Sequence, residues 1–79
     1  MIETKIQIIR REEAQNSFAV SRANFYKKVG SGLYPPSISL GDRAVGWIES
    51  EIQTVLKALT LGKSETEIRE IVKDLVTNR

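Results

Sequence analysis

The stretch Tyr34 to Trp47, YPPSISLGDRAVGW, stands between two runs that read as helices, and its reading decides the fold. It holds both prolines and the only tryptophan of the 79-residue chain. Successive prolines remove two backbone donors and disfavour a helical residue before them, so the preceding helix cannot run on. After them the apolar period changes. Ile38 and Leu40 lie two apart, Gly41-Asp42-Arg43 is a turn signal, and Val45 and Trp47 again lie two apart. That is the period of a strand, in which alternate side chains share a face. The stretch predicts a two-stranded hairpin. Such a hairpin is marginal in isolation and must dock on helices through one face, expected to be Ile38, Leu40, Val45 and Trp47. Trp47, where strand gives way to helix, is expected in the core.

On the N-terminal side, Phe25 and Val29 have helical spacing, Ser21 is an N-cap residue type, and Gly30 and Gly32 end the run. Before it, Arg11 to Phe18 carries Ala14 and Phe18 four apart, with Glu12 and Glu13 where the helix dipole favours negative charge. The break at Ala19 and Val20 leaves two short helices joined by a tight turn, the outline of a helix-turn-helix. Residues 5–9, KIQII, are read as an apolar lead-in to the first helix rather than as a strand.

On the C-terminal side, Ile48, Ile52, Val55, Leu56 and Leu59 recur at helical spacing and Gly62 interrupts. Ser64 with Glu67 is a capping-box signature opening a last helix, whose stripe is Ile68, Ile71, Val72, Leu75 and Val76. The expected fold is mainly α with a small β-hairpin: a winged helix-turn-helix over residues 1–60 plus an extra C-terminal helix. That amphipathic segment, residues 61–79, is expected to pack on the domain or to serve oligomerisation.

A chain this short supports one small core and no cleft between lobes. It contains neither cysteine nor histidine, which removes thiolate and imidazole nucleophiles, a histidine general base and the ligands of a structural zinc site. No paired carboxylates stand out from ordinary helix surface charge. No enzymatic activity, metal or cofactor is expected. The N-terminal stretch MIETKIQIIRREE is charged and lacks the apolar core of a signal peptide, and no apolar run is long enough to span a bilayer. A cytoplasmic protein without a membrane partner is expected. Residues 1–47 hold seven Lys and Arg against four Asp and Glu, whereas residues 48–79 hold five against six. A surface for an anionic partner therefore belongs to the first half.

The order helix, turn, helix, hairpin has a physical logic for DNA. An exposed helix face of short polar and basic side chains fits the major groove, while a basic hairpin tip reaches neighbouring phosphates or the minor groove. Helical projection turns Phe25 and Val29 inward and Ala23 and Lys27 outward, with Asn24 and Tyr26 beside them. Arg22, Asn24, Tyr26, Lys27 and Lys28 lie on or near the second helix and Arg43 lies at the hairpin turn. All six are expected on one side, with Tyr26 divided between packing and phosphate contact.

The segment VSRANFYKKVGSGLYPPSISLGDRAVGWIESEIQTVL resembles the AlpA family of small phage and prophage regulators. That family's pattern runs Ser-Arg, an apolar-Tyr pair, a Gly, a Pro ahead of Leu-Gly-x-Arg, Gly-Trp and a Glu-Ile helix. Pro36, Leu40, Gly41, Arg43, Gly46, Trp47, Glu51 and Ile52 carry its specific half. The resemblance implies a winged helix-turn-helix related to excisionase and MerR-type DNA-binding domains. It also implies a role as a transcriptional activator or a recombination directionality factor, acting with an integrase in excision of an integrated element.

The DNA-binding positions it implies are Ser21, Arg22 and Tyr26 in the recognition helix and Gly41 and Arg43 at the wing; Asn24, Lys27 and Lys28 come from the helical projection. Where the family usually has a small turn ending in Gly and Leu, this chain has Phe18, Ala19 and Val20, and the tail after Leu59 lies outside the motif. The expected partners are double-stranded DNA, an integrase and further copies of the chain, as a homodimer or a cooperative oligomer on DNA. The alternative is a small adaptor that binds an integrase or regulator through its C-terminal helix.

Overall fold

The computed structural model of the chain describes residues 6–79; the charged stretch through Lys5, with the first residue of the KIQII lead-in, lies outside them. The order is β1 (Ile8–Ile9), α1 (Arg11–Phe18), α2 (Arg22–Gly30), β2 (Ile38–Gly41), β3 (Ala44–Ile48), α3 (Glu49–Thr60) and α4 (Glu65–Thr77). Helix α1 stops because Ala19 adopts the left-handed conformation, φ 56° and ψ 41°, with its N–H donating to the Asn16 carbonyl. Two residues later the Ser21 hydroxyl accepts from the Asn24 N–H at 3.2 Å and starts α2. That turn sets the helix-turn-helix. At the far end of α2 the Ser31 N–H donates back to the carbonyls of Lys27 and Lys28, and Gly32, at φ 79°, turns the chain toward the prolines.

The core is built on aromatic rings. Phe25 is fully buried and meets Trp47 edge-on at 5.3 Å, while Tyr34 stacks on Phe18 at 3.8 Å. Burial pushes the Tyr34 phenol pKa above its ordinary value. The indole N–H of Trp47 donates to the Pro35 carbonyl at 3.0 Å, so the largest core side chain also holds the proline turn against β3. Ala14, Ile52, Val55 and Ala58 complete the floor beneath these rings.

Two expectations are corrected. The lead-in is a strand at its end: Ile8 pairs with Ile48 and Ile9 with Trp47, giving a three-stranded antiparallel sheet in the order β1-β3-β2. Two residues are too few to show a period, which is why alternation in the sequence did not reveal them. The expected docking face of the hairpin is also split. Gly41 pairs with Ala44, but the next pairs are Ser39 with Val45 and Ile38 with Gly46, so Leu40 is an extra residue on β2. In an unbulged hairpin Leu40 would face Val45 and Ile38 would face Trp47. One inserted residue shifts the register by one and sends side chains to the opposite face. Trp47 enters the core, while Ile38, paired with Gly46, leaves the face of Trp47 and is half-buried, and Leu40 is exposed; Val45 shares the face of Trp47 but stands next to the turn and is exposed.

Gly46 marks the close approach on the other face: a Cβ there would stand 2.5 Å from Ile8 Cγ2 and 3.1 Å from Leu40 Cδ1. The Ile8 and Leu40 side chains meet over β3 in the space that a side chain at position 46 would fill.

Helix α4 packs on α3 through Ile68 and Val72, both buried. Leu59 and Val76, placed within the apolar stripes by their spacing, lie at their margins and are exposed. Glu51 is the one buried charged residue among those described, and the Arg79 guanidinium grips its two carboxylate oxygens at 3.0 and 2.7 Å. That pairing raises the Arg79 pKa above its ordinary value. Ser64 and Glu67 form the reciprocal capping box at the start of α4.

Candidate nucleic-acid interface

Helix α2 presents the face that its burial leaves outside. Phe25 anchors it in the core, Val29 packs against that core, and Arg22, Ala23, Tyr26 and Lys27 are exposed; Asn24 and Lys28 are half-buried. The Arg22 guanidinium lies 6.0 Å from the centre of the Tyr26 ring, and that ring meets Phe25 edge-on at 5.8 Å. Tyr26 is therefore held on its inner edge while 45% of it remains exposed. Ser21 spends its hydroxyl lone pair on the cap and keeps its O–H free to donate.

The wing tip is a two-residue turn in which Asp42 and Arg43 have φ of 43° and 66°, following Gly41 at φ 87°. Positive φ at both central residues matches the right-handed twist of the flanking strands and closes the hairpin tightly. It projects Arg43 outward, and residues 39–43 are all exposed.

Between the wing tip, α2 and the start of α1 lies an open groove of about 400 Å³. Tyr26 comes to it from α2, Asp42, Arg43, Ala44 and Val45 from the wing, and Arg10, Arg11 and Glu12 from the start of α1. Of the residues expected at the site, the groove brings together Tyr26 and Arg43, with Arg22 beside Tyr26. Ser21, Asn24, Lys27, Lys28 and Gly41 lie on the recognition helix and wing but not in the groove lining.

Sequence reasoning missed Arg10 and Arg11. Arg10 donates from Nη1 to the Val45 carbonyl at 3.0 Å, fastening the start of α1 to strand β3 of the wing. Arg11 donates to the Gln15 side chain one turn along α1. The available signal was the adjacent pair of arginines at the head of α1. Their place beside a wing 35 residues away follows only from the pairing of Ile9 with Trp47, which the lead-in reading lacked. Three arginines against Glu12 and Asp42 leave the groove cationic. A groove of that charge, open to solvent, favours an anionic ligand. Among the described residues no group of acidic side chains could hold a metal ion, and no helix is long and apolar enough to cross a membrane.

The model of the family described as Prophage CP4-57 regulatory protein (AlpA) matches residues 7–60. The chain is 28% identical over 60 residues to an uncharacterized protein, ORF88, of Enterobacteria phage P4, an alignment covering 76% of this chain and 68% of that protein. No solved structure gives a significant match.

Proposed function

The chain belongs to the AlpA family of phage regulatory proteins, and from that membership and the groove we propose that it is a sequence-specific regulator binding double-stranded DNA. In this reading α2 enters the major groove with Arg22, Asn24 and Lys27 toward base edges. Arg43, Tyr26, Lys28, the Ser21 hydroxyl and the Gly41 backbone take sugar-phosphate contacts, which set position and carry no sequence information themselves. Arg10 and Arg11 join that second group. The observation that supports the reading best is the convergence of Arg10, Arg11, Tyr26 and Arg43, from three separate chain segments, on one groove beside an exposed helix face.

The biological role proposed is control of a prophage or integrative element, by promoting integrase expression or by acting with the integrase in excision. Mapping the DNA protected upstream of an integrase gene and at the ends of the element separates these two. The adaptor alternative needs an accessible apolar stripe on α4, and the central residues of that stripe, Ile68 and Val72, are buried.

The test is a salt titration of binding to duplex DNA. Phosphate contacts release counterions, so log K falls linearly with log salt by about 0.9 for each contact. A steep slope that becomes shallower in the Lys27→Ala, Arg43→Ala double variant is the expected result. Binding that is insensitive to salt, or unchanged by both substitutions, overturns the reading.

A further inference from the structure

Helix α4 and the two residues after it lie beyond the segment that the family model covers, residues 7–60, yet two arginines of this C-terminal segment reach the connection between α2 and the wing. Arg69 donates from Nε to the Ser31 carbonyl at 2.9 Å, and Arg79, just past the helix, donates from Nη2 to the Pro36 carbonyl at 2.7 Å. Ser31 begins the connection and Pro36 lies near its end. Between them Trp47 serves the Pro35 carbonyl.

The chemistry of the connection explains why it needs outside donors. Gly32 and Leu33 donate back into α2, to the Val29 and Lys28 carbonyls, but Pro35 and Pro36 have no N–H to give, so carbonyls of the connection are left for other donors. Three of them receive side-chain N–H groups, one from Arg69 on α4, one from Arg79 just past it and one from Trp47. Arg69 also lies flat over the turn: its Cγ stands 3.8 Å from where a Cβ on Gly32 would be. Arg79 is fixed in turn by the buried Glu51 carboxylate of α3.

We propose that α4 is a brace that sets the angle between the recognition helix and the wing, with Arg69 and Arg79 as positioning residues. The consequence for DNA binding rests on the function proposed above: a wing swung away from α2 no longer places Arg43 while α2 is in the groove. Neither arginine belongs to the groove lining.

Arg69 gives the cleaner test, because replacing Arg79 also strands Glu51. Arg69→Met keeps the apolar stem over Gly32 and removes the donor. Arg69→Gln is the informative control: its amide nitrogen follows Cδ just as the arginine Nε does, so the hydrogen bond can re-form without the charge. Residual dipolar couplings on the free full-length protein report the orientation of β2 and β3 relative to α2. The expected result is a reorientation in Arg69→Met that Arg69→Gln reverses; an unchanged orientation in Arg69→Met overturns the brace.

On DNA, Arg69→Met is expected to weaken binding about three- to tenfold, the range corresponding to one hydrogen bond, and Arg69→Gln to restore it. The loss should vanish in an Arg43→Ala background, since a misplaced wing costs nothing once its contact is gone. A loss of equal size in that background, or no rescue by glutamine, overturns the positioning role. If the wild-type chain does not bind duplex DNA, the functional reading fails, and the dipolar couplings still decide the brace.

Discussion

Ala19 carries a conformation that suits glycine. Its φ of 56° and ψ of 41° crowd the Cβ against the backbone, at a cost of roughly 1–2 kcal/mol for an L-residue. It ends α1 in the turn before Ser21, so the helix-turn-helix geometry is kept at the expense of local strain. Ala19→Gly removes the crowding and loses part of the gain to greater unfolded-state entropy, leaving a net stabilisation of about 0.5–1 kcal/mol. The urea midpoint should rise with an unchanged denaturant slope; a lower midpoint would mean that the strain is absent. Arg79 makes the opposite case. Its partner Glu51 has a side chain only 6% exposed, while the guanidinium is 24% exposed. Removing one member of a fully buried pair costs about 3–5 kcal/mol, and the partial exposure here lowers the expectation for Arg79→Met to roughly 2–3 kcal/mol. Adding Glu51→Gln should recover part of that loss, because the stranded charge goes with it. A double variant less stable than Arg79→Met alone would contradict the pairing as the source of the cost.

At the scale of elements, the capping box of α4 makes one helix end sensitive to acid. The Ser64 N–H donates to Glu67 Oε1 at 3.0 Å and the Glu67 N–H donates to the Ser64 hydroxyl at 3.2 Å. The bond from the Ser64 backbone, then the Ser64 side chain and the charge of Lys63, hold the Glu67 carboxyl below its ordinary value of 4.5. The unfolded chain therefore takes up this proton first as pH falls. The contribution is fully present above about pH 4.5 and is lost as pH drops through the folded value. The protection of the amides at the start of α4, measured as exchange relative to the unfolded chain at the same pH, should fall below that pH in the wild type, and Glu67→Gln should flatten the dependence. Ser64 and Glu67 were legible in the sequence because a cap is a local contact. So were the helices, whose apolar spacing is counted along a single segment, and the reading of Trp47 as core. The contacts that depend on pairing were not legible. Strand β1 has too few residues to show a period, and the extra residue at Leu40 reverses the face of Ile38 without leaving a mark on the alternation of the hairpin. The first of these features brings Arg10 and Arg11 to the wing, so the recognition helix could be read from its own residues but the groove could not.

Over the whole molecule, only some of the charged residues stand at the groove. The groove gathers Arg10, Arg11 and Arg43, while exposed Glu70 and Asp74 of α4 lie outside its lining. Both sets contribute to the field that a DNA duplex meets, but only residues that touch phosphate displace its bound counterions. Net charge and contact number can therefore be varied separately. Neutralising Glu70 and Asp74 as Gln and Asn raises the net charge from +2 by two. It should speed association at low salt through long-range attraction that fades beyond about 10 Å at 0.1 M salt, with the slope of log K against log salt unchanged. Arg11→Gln lowers the net charge by only one, yet on the proposed contact it should make the slope shallower by about 0.9. Comparing the two slopes in one titration series separates a groove that grips phosphate from a protein that is merely cationic on one side. If the slope follows net charge in both variants, Arg11 makes no phosphate contact and the interface contracts to α2 and the wing tip.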